Sequence, residues 1–207
     1  MTMERWRRIP TAIIADVSGG ACLIDPAVRP LRPAGQQPRL FGTAVTARCA
    51  APDFGAVLQA IDQVEPGNVF VIDAQGFSEN AMIGGILGGT LARKGASGFV
   101  CDGAIRDVAE LAAMEKFSVY ARAITPRGPT AWERGAVNQP VTIGGRRVAA
   151  GDLIIGDDDG LVCLSPAEQG ALLDKAEAKL ALEDEWVRRL KAGETLASVF
   201  SLQQLKH

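Results

Sequence analysis

Two stretches of this chain hold residues whose types and spacing could do chemistry. The first runs from Cys101 to Asp107, reading Cys-Asp-Gly-Ala-Ile-Arg-Asp between the apolar Gly98-Phe99-Val100 and the helical pattern Val108-Ala109-Glu110-Leu111. Arg106 offers a planar fork that grips a carboxylate through two hydrogen bonds. Asp102 and Asp107 could hold a hard divalent ion, because magnesium takes oxygen ligands, keeps several waters and often needs only one or two carboxylates. The same aspartates could instead pair with Arg106, or Asp107 could cap the next helix. The second stretch is Gly84-Gly85-Ile86-Leu87-Gly88-Gly89. No Lys-Ser/Thr pair follows it, so it is not a P-loop, and its place inside a helical pattern, rather than directly after a strand, is wrong for a dinucleotide fingerprint. Its glycines could serve close backbone packing. They could also leave the free N–H groups of a helix start open to an anion.

Composition narrows the chemistry further. The single histidine is His207, the last residue. A Ser-His-Asp triad, a Cys-His dyad and a histidine-rich zinc site each need a placed imidazole. The chemistry is therefore left to carboxylates, arginine, lysine, backbone dipoles or a hard metal. Cys22, Cys49, Cys101 and Cys163 lie far apart in apolar surroundings, without metal-ligand spacing, and are expected to be reduced, buried thiols. A formal net charge of −2 and 5% aromatic residues argue against nucleic-acid binding. No segment approaches the ~20 apolar residues of a membrane span, and Met1 to Pro10 lacks the apolar core of a signal peptide, so a cytoplasmic protein without a membrane partner is expected. Lys94, near the glycine segment, is the residue that could form a Schiff base, but it sits beside Gly95 at a helix end and reads as solvated. The acidic run Gly156 to Gly160 reads as a solvated turn rather than a second metal site.

The elements that must position these residues alternate. Helical spacing is expected over Thr11–Val17, Asp53–Val64, Ala81–Lys94 and Asp107–Met114, and strands over Phe41–Cys49, Asn68–Asp73, Gly98–Cys101 and Ser118–Ile124. This alternation argues α/β with some parallel pairing. Residues 25–39, with four prolines, read as irregular surface chain. Val141–Val148 carries a Gly-Gly hairpin signal, and two short strands flank the acidic run. Ser165-Pro166-Ala167-Glu168 has a capping-box pattern ahead of a long charged helix over about 166–191.

With these residues in place, the stretch from Gly84 to Asp107 resembles the class II pyruvate aldolases, among them 4-hydroxy-4-methyl-2-oxoglutarate and 4-carboxy-4-hydroxy-2-oxoadipate aldolase. Their superfamily also holds the regulator of ribonuclease activity A. The marker is a glycine, twenty intervening residues and Arg-Asp, here Gly85 and Arg106-Asp107. The likeness extends to Thr11–Gly20, Phe41–Ala47, Val64–Gly76 and Gly156–Pro166, and covers roughly residues 10–195.

The resemblance implies an α/β fold for residues 1–207, a layered α-β-β-α swivelling-type domain with a mixed sheet and a C-terminal helix. It implies a homotrimer, or a hexamer made of two. It implies that Arg106 holds the keto-acid end of a substrate, that Asp107 binds Mg2+ or Mn2+ directly, and that Asp102 acts through water on the metal. Backbone groups of Gly84, Gly85, Ile86 and Leu87 would bind substrate. Glu183, or Glu185 close behind it, would reach a neighbouring subunit's metal through water. The expected activity is cleavage of 4-hydroxy-2-keto dicarboxylic acids to pyruvate, with oxaloacetate decarboxylation beside it. The alternative is a non-catalytic, protein-binding regulator of ribonuclease activity, a reading that the presence of both Asp102 and Asp107 disfavours.

Overall fold

Strands that are buried on both faces carry near-continuous apolar runs, and those runs set this architecture. In the computed structural model, which describes residues 2–202, the elements follow in the order α1 (Thr2–Trp6), α2 (Thr11–Ser18), β1 (Arg29–Pro30), β2 (Leu40–Arg48), α3 (Gly55–Ile61), β3 (Val69–Asp73), β4 (Ala81–Ile83), α4 (Gly85–Arg93), β5 (Gly98–Ile105), α5 (Val108–Ala112), β6 (Ser118–Ile124), β7 (Ala136–Val137), β8 (Val141–Ile143), β9 (Arg146–Val148), β10 (Leu153–Asp157), β11 (Gly160–Leu164), α6 (Pro166–Lys191) and α7 (Leu196–Val199). His207 lies outside the described residues.

The main sheet is mixed, ordered β1-β6-β5-β3-β2-β10-β11. Its centre, β2, β3, β5 and β6, is parallel, and β10 turns antiparallel against β2. Side chains alternate between two faces along each strand. On β3, Phe70 and Ile72 face α3, α4 and α5, while Val69 and Val71 face inward toward the β8–β9 hairpin and β10–β11. On β10, Ile154 shares that inner core, while Leu153 and Ile155 pack beneath α2 and α6. Three apolar layers thus lie between helix, sheet, folded-back sheet and helix, as the α-β-β-α expectation required. The capping box is formed: Ser165 Oγ accepts from Glu168 N–H at 3.4 Å, and Ser165 N–H donates to Glu168 Oε2 at 2.8 Å. Arg146 adds an ion pair to Glu168 at 2.6 Å. Gly144 and Gly145 take the positive φ values, 49° and 75°, that a two-residue hairpin turn demands.

Four sequence expectations are corrected. Ala81–Lys94 is not one helix. Ala81, Met82 and Ile83 form β4, buried and paired with Ala104 and Ile105, and Gly84 at φ −152° ends the strand before α4 begins. The glycine segment therefore does follow a strand directly. β5 runs on to Ile105 because β4 supplies it a partner there, so Asp102 lies inside a strand rather than at its end. The helix expected over 53–64 starts later, at Gly55. Asp53 is 1% exposed, and its carboxylate accepts from the N–H groups of Gly55, Glu133 and Arg134 at 2.8, 3.1 and 3.1 Å. Burial raises its pKa, but those hydrogen bonds together outweigh burial and hold it below the usual carboxylate range. The acidic run is only partly solvated: Asp157 accepts from Thr11 N–H at 2.9 Å at the start of α2. The four cysteines are free and buried, as expected. Burial pushes the Cys49 and Cys163 thiols up to about 12, so neither is a thiolate at neutral pH.

Candidate active-site cleft

The twenty-residue interval between Gly85 and Arg106 has a physical cause. β4 and β5 run parallel, so the chain leaving β4 into α4 and the chain leaving β5 into α5 emerge side by side. Arg106 N–H donates to Ile83 O at 3.1 Å, which locks the two exits together. A Cβ on Gly84 would lie 2.5 Å from Asp107 Oδ2 and 2.8 Å from Arg106 Cγ. A Cβ on Gly85 would overlap the Glu110 carboxylate, and one on Gly88 would overlap Leu111. The glycines let residues 106–111 lie directly on the start of α4. The close-packing reading of the glycines holds, and that packing brings an acidic and a basic side chain to a helix N-terminus.

Asp107 is the pivot. It stands at the N-cap position of α5 in the left-handed region, φ 57°, and makes no side-chain cap to its own helix. Asp tolerates this region better than most residues, though at some cost. The turn aims its carboxylate at α4 instead, where Oδ2 accepts from Gly85 N–H at 3.0 Å. By helix geometry the N–H groups of Ile86 and Leu87 have no intrahelical acceptor, and Gly88 is the first to donate back, to Gly84 O at 2.9 Å. Arg106 Nε lies 3.6 Å from Asp107 Oδ2, and both side chains stay partly exposed, at 41% and 44%. The far end of the Arg106 guanidinium rests against Gly128, whose carbonyl accepts from Asn80 Nδ2 at 2.6 Å. Arg127 O accepts from Ala81 N–H at 2.8 Å, so the strap carrying Gly128 and Pro129 is tied to β4. Phe54, Leu58, Met82, Ile86, Leu87 and Pro129 complete the cleft around Gly84, Arg106 and Asp107.

The structure brings together Gly84, Gly85, Ile86, Leu87, Arg106 and Asp107. Asp102 is not among the cleft's lining residues. It projects to the other face of β5, where Arg122 Nε donates to Oδ1 and Gly144 N–H donates to Oδ2 at 2.7 Å. Within one chain Asp102 thus ties the β8–β9 hairpin to the sheet. Glu183 pairs with Lys179 at 3.1 Å on α6, and Glu185 pairs with Arg188. Lys94 is at the opposite end of α4 and donates to Asp62 O at 3.3 Å. Glu110 is not among the cleft's lining residues but stands beside them, and sequence reasoning does not single it out. It lies three positions after Asp107, a spacing that puts two side chains on one helical face, and its carboxylate sits over Gly85 beside that of Asp107.

Among the described residues no group of three or more His, Cys, Asp or Glu could hold a metal. Two exposed carboxylates, Asp107 in the cleft and Glu110 beside it, meet at Gly85 instead. An all-oxygen pair open to water fits magnesium or manganese, which retain waters and need few protein ligands, and does not fit a soft metal.

A mixed sheet with helices on both sides, and an arginine with two acidic side chains at a glycine-rich helix start beside the exits of two parallel strands, defines an α/β protein of layered α-β-β-α architecture. Residues 11–163 match the family described as "RraA-like: Aldolase/RraA", and the chain belongs to that family. A relative from Halalkalibacterium halodurans, named "Putative 4-hydroxy-4-methyl-2-oxoglutarate aldolase", is 33% identical over 205 residues, 99% of this chain and 95% of the relative. The structure titled "RNA-processing inhibitor RraA" from Thermus superposes with a TM-score of 0.66 at 27% identity, over 75% of this chain and 92% of that one. An uncharacterized Pseudomonas syringae protein shares the fold across 96% of both chains, with a TM-score of 0.83 at 23% identity. No helix among the described residues is long and apolar enough to cross a membrane.

Proposed function

We propose that the protein is a divalent-metal-dependent lyase that releases pyruvate from 4-hydroxy-2-keto acids. The observation that carries this reading is Asp107, held off its own helix in a left-handed turn and aimed at the start of α4 beside Arg106 and Glu110. In retro-aldol cleavage the C4 hydroxyl loses its proton and becomes a carbonyl, the C3–C4 bond breaks, and its electron pair passes into the keto acid, leaving the enolate of pyruvate. A proton added at C3 completes pyruvate. Asp107, with Glu110, would hold a magnesium or manganese ion, which supplies Lewis-acid stabilisation of the negative charge. Arg106 grips the carboxylate of the keto acid and adds a fixed positive charge where the enolate develops. The Ile86 and Leu87 N–H groups add the dipole of the helix start. Oxaloacetate passes through the same enolate on losing carbon dioxide, so its decarboxylation accompanies the aldolase reaction.

The test is release of pyruvate from 4-hydroxy-4-methyl-2-oxoglutarate and from oxaloacetate with added magnesium or manganese, and again after exhaustive chelation. Turnover that survives chelation refutes metal dependence. No pyruvate from either compound refutes the enzyme and favours the rival, a non-catalytic, protein-binding regulator of ribonuclease activity; the Thermus structure's title names an RNA-processing inhibitor.

The Arg106 grip depends on Gly128. Gly128→Ala would place Cβ 2.5 Å from Arg106 Nη1. The obstacle is the end of a flexible side chain, so the fold should survive while the fork is displaced. We expect an unchanged melting temperature and about a tenfold loss of kcat/KM, roughly 1.4 kcal/mol. Wild-type kinetics in this variant would show that the fork does not work from its resting place against the strap.

The acidic residues on α6 belong to the same reading. Glu183 would serve a neighbouring chain's cleft through water, in a trimer or hexamer of this chain. Mixed assemblies of Asp107→Asn and Glu183→Ala chains should then recover part of the activity that each lacks alone. A monomer by light scattering, or a fully active Glu183→Ala protein, overturns the shared site.

A further inference from the structure

The position of the Arg106 fork is set by packing more than by hydrogen bonds. Its Nε contact to Asp107 Oδ2, at 3.6 Å, is beyond hydrogen-bond range. At its other end a Cβ on Gly128 would stand 2.5 Å from Nη1 and 3.4 Å from Cζ, so the bare Cα of Gly128 is the seat of the guanidinium. The strap that carries this seat runs from Thr125, whose N–H donates to Ile105 O at 3.0 Å, to Thr130, whose N–H donates to Pro52 O at 3.1 Å. Between those anchors Pro126 and Pro129 bring no N–H, so the strap has few donors of its own with which to lace itself to a strand. It is held through its carbonyls instead. Arg127 O accepts from Ala81 N–H at 2.8 Å, and Gly128 O accepts from Asn80 Nδ2 at 2.6 Å. The first bond is backbone to backbone and any residue could make it. The second needs a side-chain donor of one length at one place.

We propose that Asn80 is a positioning residue for Arg106: by holding the Gly128 carbonyl toward β4, it fixes the strap so that Gly128 seats the fork where the substrate carboxylate arrives. This rests on the keto-acid reading of Arg106 and adds a residue to it. Asn80 stands directly before β4 and is only 5% exposed, so its bond to Gly128 O is shielded from competing water. Bond and seat both lie within one chain, so a neighbouring chain arriving at the cleft does not replace them. With its carbonyl drawn to Asn80, Gly128 turns its side-chain position to the guanidinium, and the N–H groups of the fork stay free for a ligand.

Calorimetric binding of oxalate, a stand-in for the enolate of pyruvate, to the magnesium-loaded protein tests this in a double-mutant cycle. Asn80→Leu keeps the size of the side chain and removes the donor. With Arg106 present it should weaken oxalate about tenfold, because the fork loses its fixed place. With Arg106→Gln in place it should weaken oxalate by less than about twofold, since a residue that acts through the fork has nothing left to position. The same non-additivity should appear in kcat/KM for 4-hydroxy-4-methyl-2-oxoglutarate. If Asn80→Leu does not fold, Asn80→Ala, which leaves room for a water on Gly128 O, carries the same cycle. Equal losses in both backgrounds make Asn80 a purely structural residue, and no loss in either makes it idle; each overturns the proposal and leaves the aldolase reading intact. A non-additive cycle in a protein that releases no pyruvate from any 4-hydroxy-2-keto acid sinks the lyase and keeps Asn80 as the positioner of Arg106. Oxalate binding that Arg106→Gln leaves unchanged overturns both the proposal and the keto-acid reading of Arg106.

Discussion

Asp107→Asn is expected to cut pyruvate release by at least about a hundredfold while leaving the melting temperature within a degree or two of the parent. The choice of asparagine follows from the backbone. At φ 57° an alanine would be strained, and its loss of function could be blamed on the turn. Asparagine tolerates the left-handed region as aspartate does, keeps the size of the side chain, and can still accept from Gly85 N–H through its amide oxygen. What it removes is the charge. A carboxylate that only stapled α5 to α4 would lose part of one charge-assisted hydrogen bond, which is a stability effect. A carboxylate holding a divalent ion would lose the Lewis acid, worth several kcal/mol in the transition state. The measurements separate the two: a normal melt with lost magnesium binding and lost turnover supports the metal role. Full turnover with unchanged magnesium affinity would leave Asp107 as a helix staple and would remove the main support for a lyase.

Much of this cleft is legible in the amino-acid sequence, and the parts that are not share one cause. Gly85 and Arg106-Asp107 stand out at a fixed interval because glycine is needed where another segment's side chains lie on the backbone, and that need leaves a mark in sequence. Ser165 with Glu168, and Gly144-Gly145, are equally plain, since a capping box and a two-residue hairpin turn are local devices with local residue requirements. Ala81-Met82-Ile83 misleads because three apolar residues fit a helix turn as well as a strand. What decides between them is pairing with Ala104 and Ile105, more than twenty positions away. The place of Asp102 within its strand is missed for the same reason. The extension of β5 depends on β4, and strand alternation then sends Asp102 to the face opposite the α3–α5 layer, toward Arg122 and Gly144. Glu110 goes unnoticed because on paper it is one more acid in a short amphipathic helix; only the packing of α5 on α4 sets it over Gly85.

Arg106→Lys should lower kcat by at least about tenfold, equivalent to ~1.4 kcal/mol of transition-state stabilisation, although net charge is unchanged. Lysine would return a positive charge to the cleft but not the planar fork, and one ammonium cannot donate to both oxygens of a carboxylate in the same plane. The loss should appear partly in KM, because the ground-state keto acid also uses the fork, and partly in kcat, because a wandering ammonium stabilises the developing enolate less well than a guanidinium fixed between Asp107 and the Gly128 strap. A purely structural arginine would behave differently. Its pair with Asp107 is half exposed and 3.6 Å long, so breaking it should barely move stability, and kinetics would follow stability rather than depart from it. The decisive comparison is Arg106→Lys against Arg106→Gln in one assay. If charge alone matters, lysine rescues what glutamine loses. If the fork matters, both fall, with glutamine lower, while their melts stay with the parent. Wild-type turnover in the lysine variant would move Arg106 out of the reaction and return the cleft to a packing role.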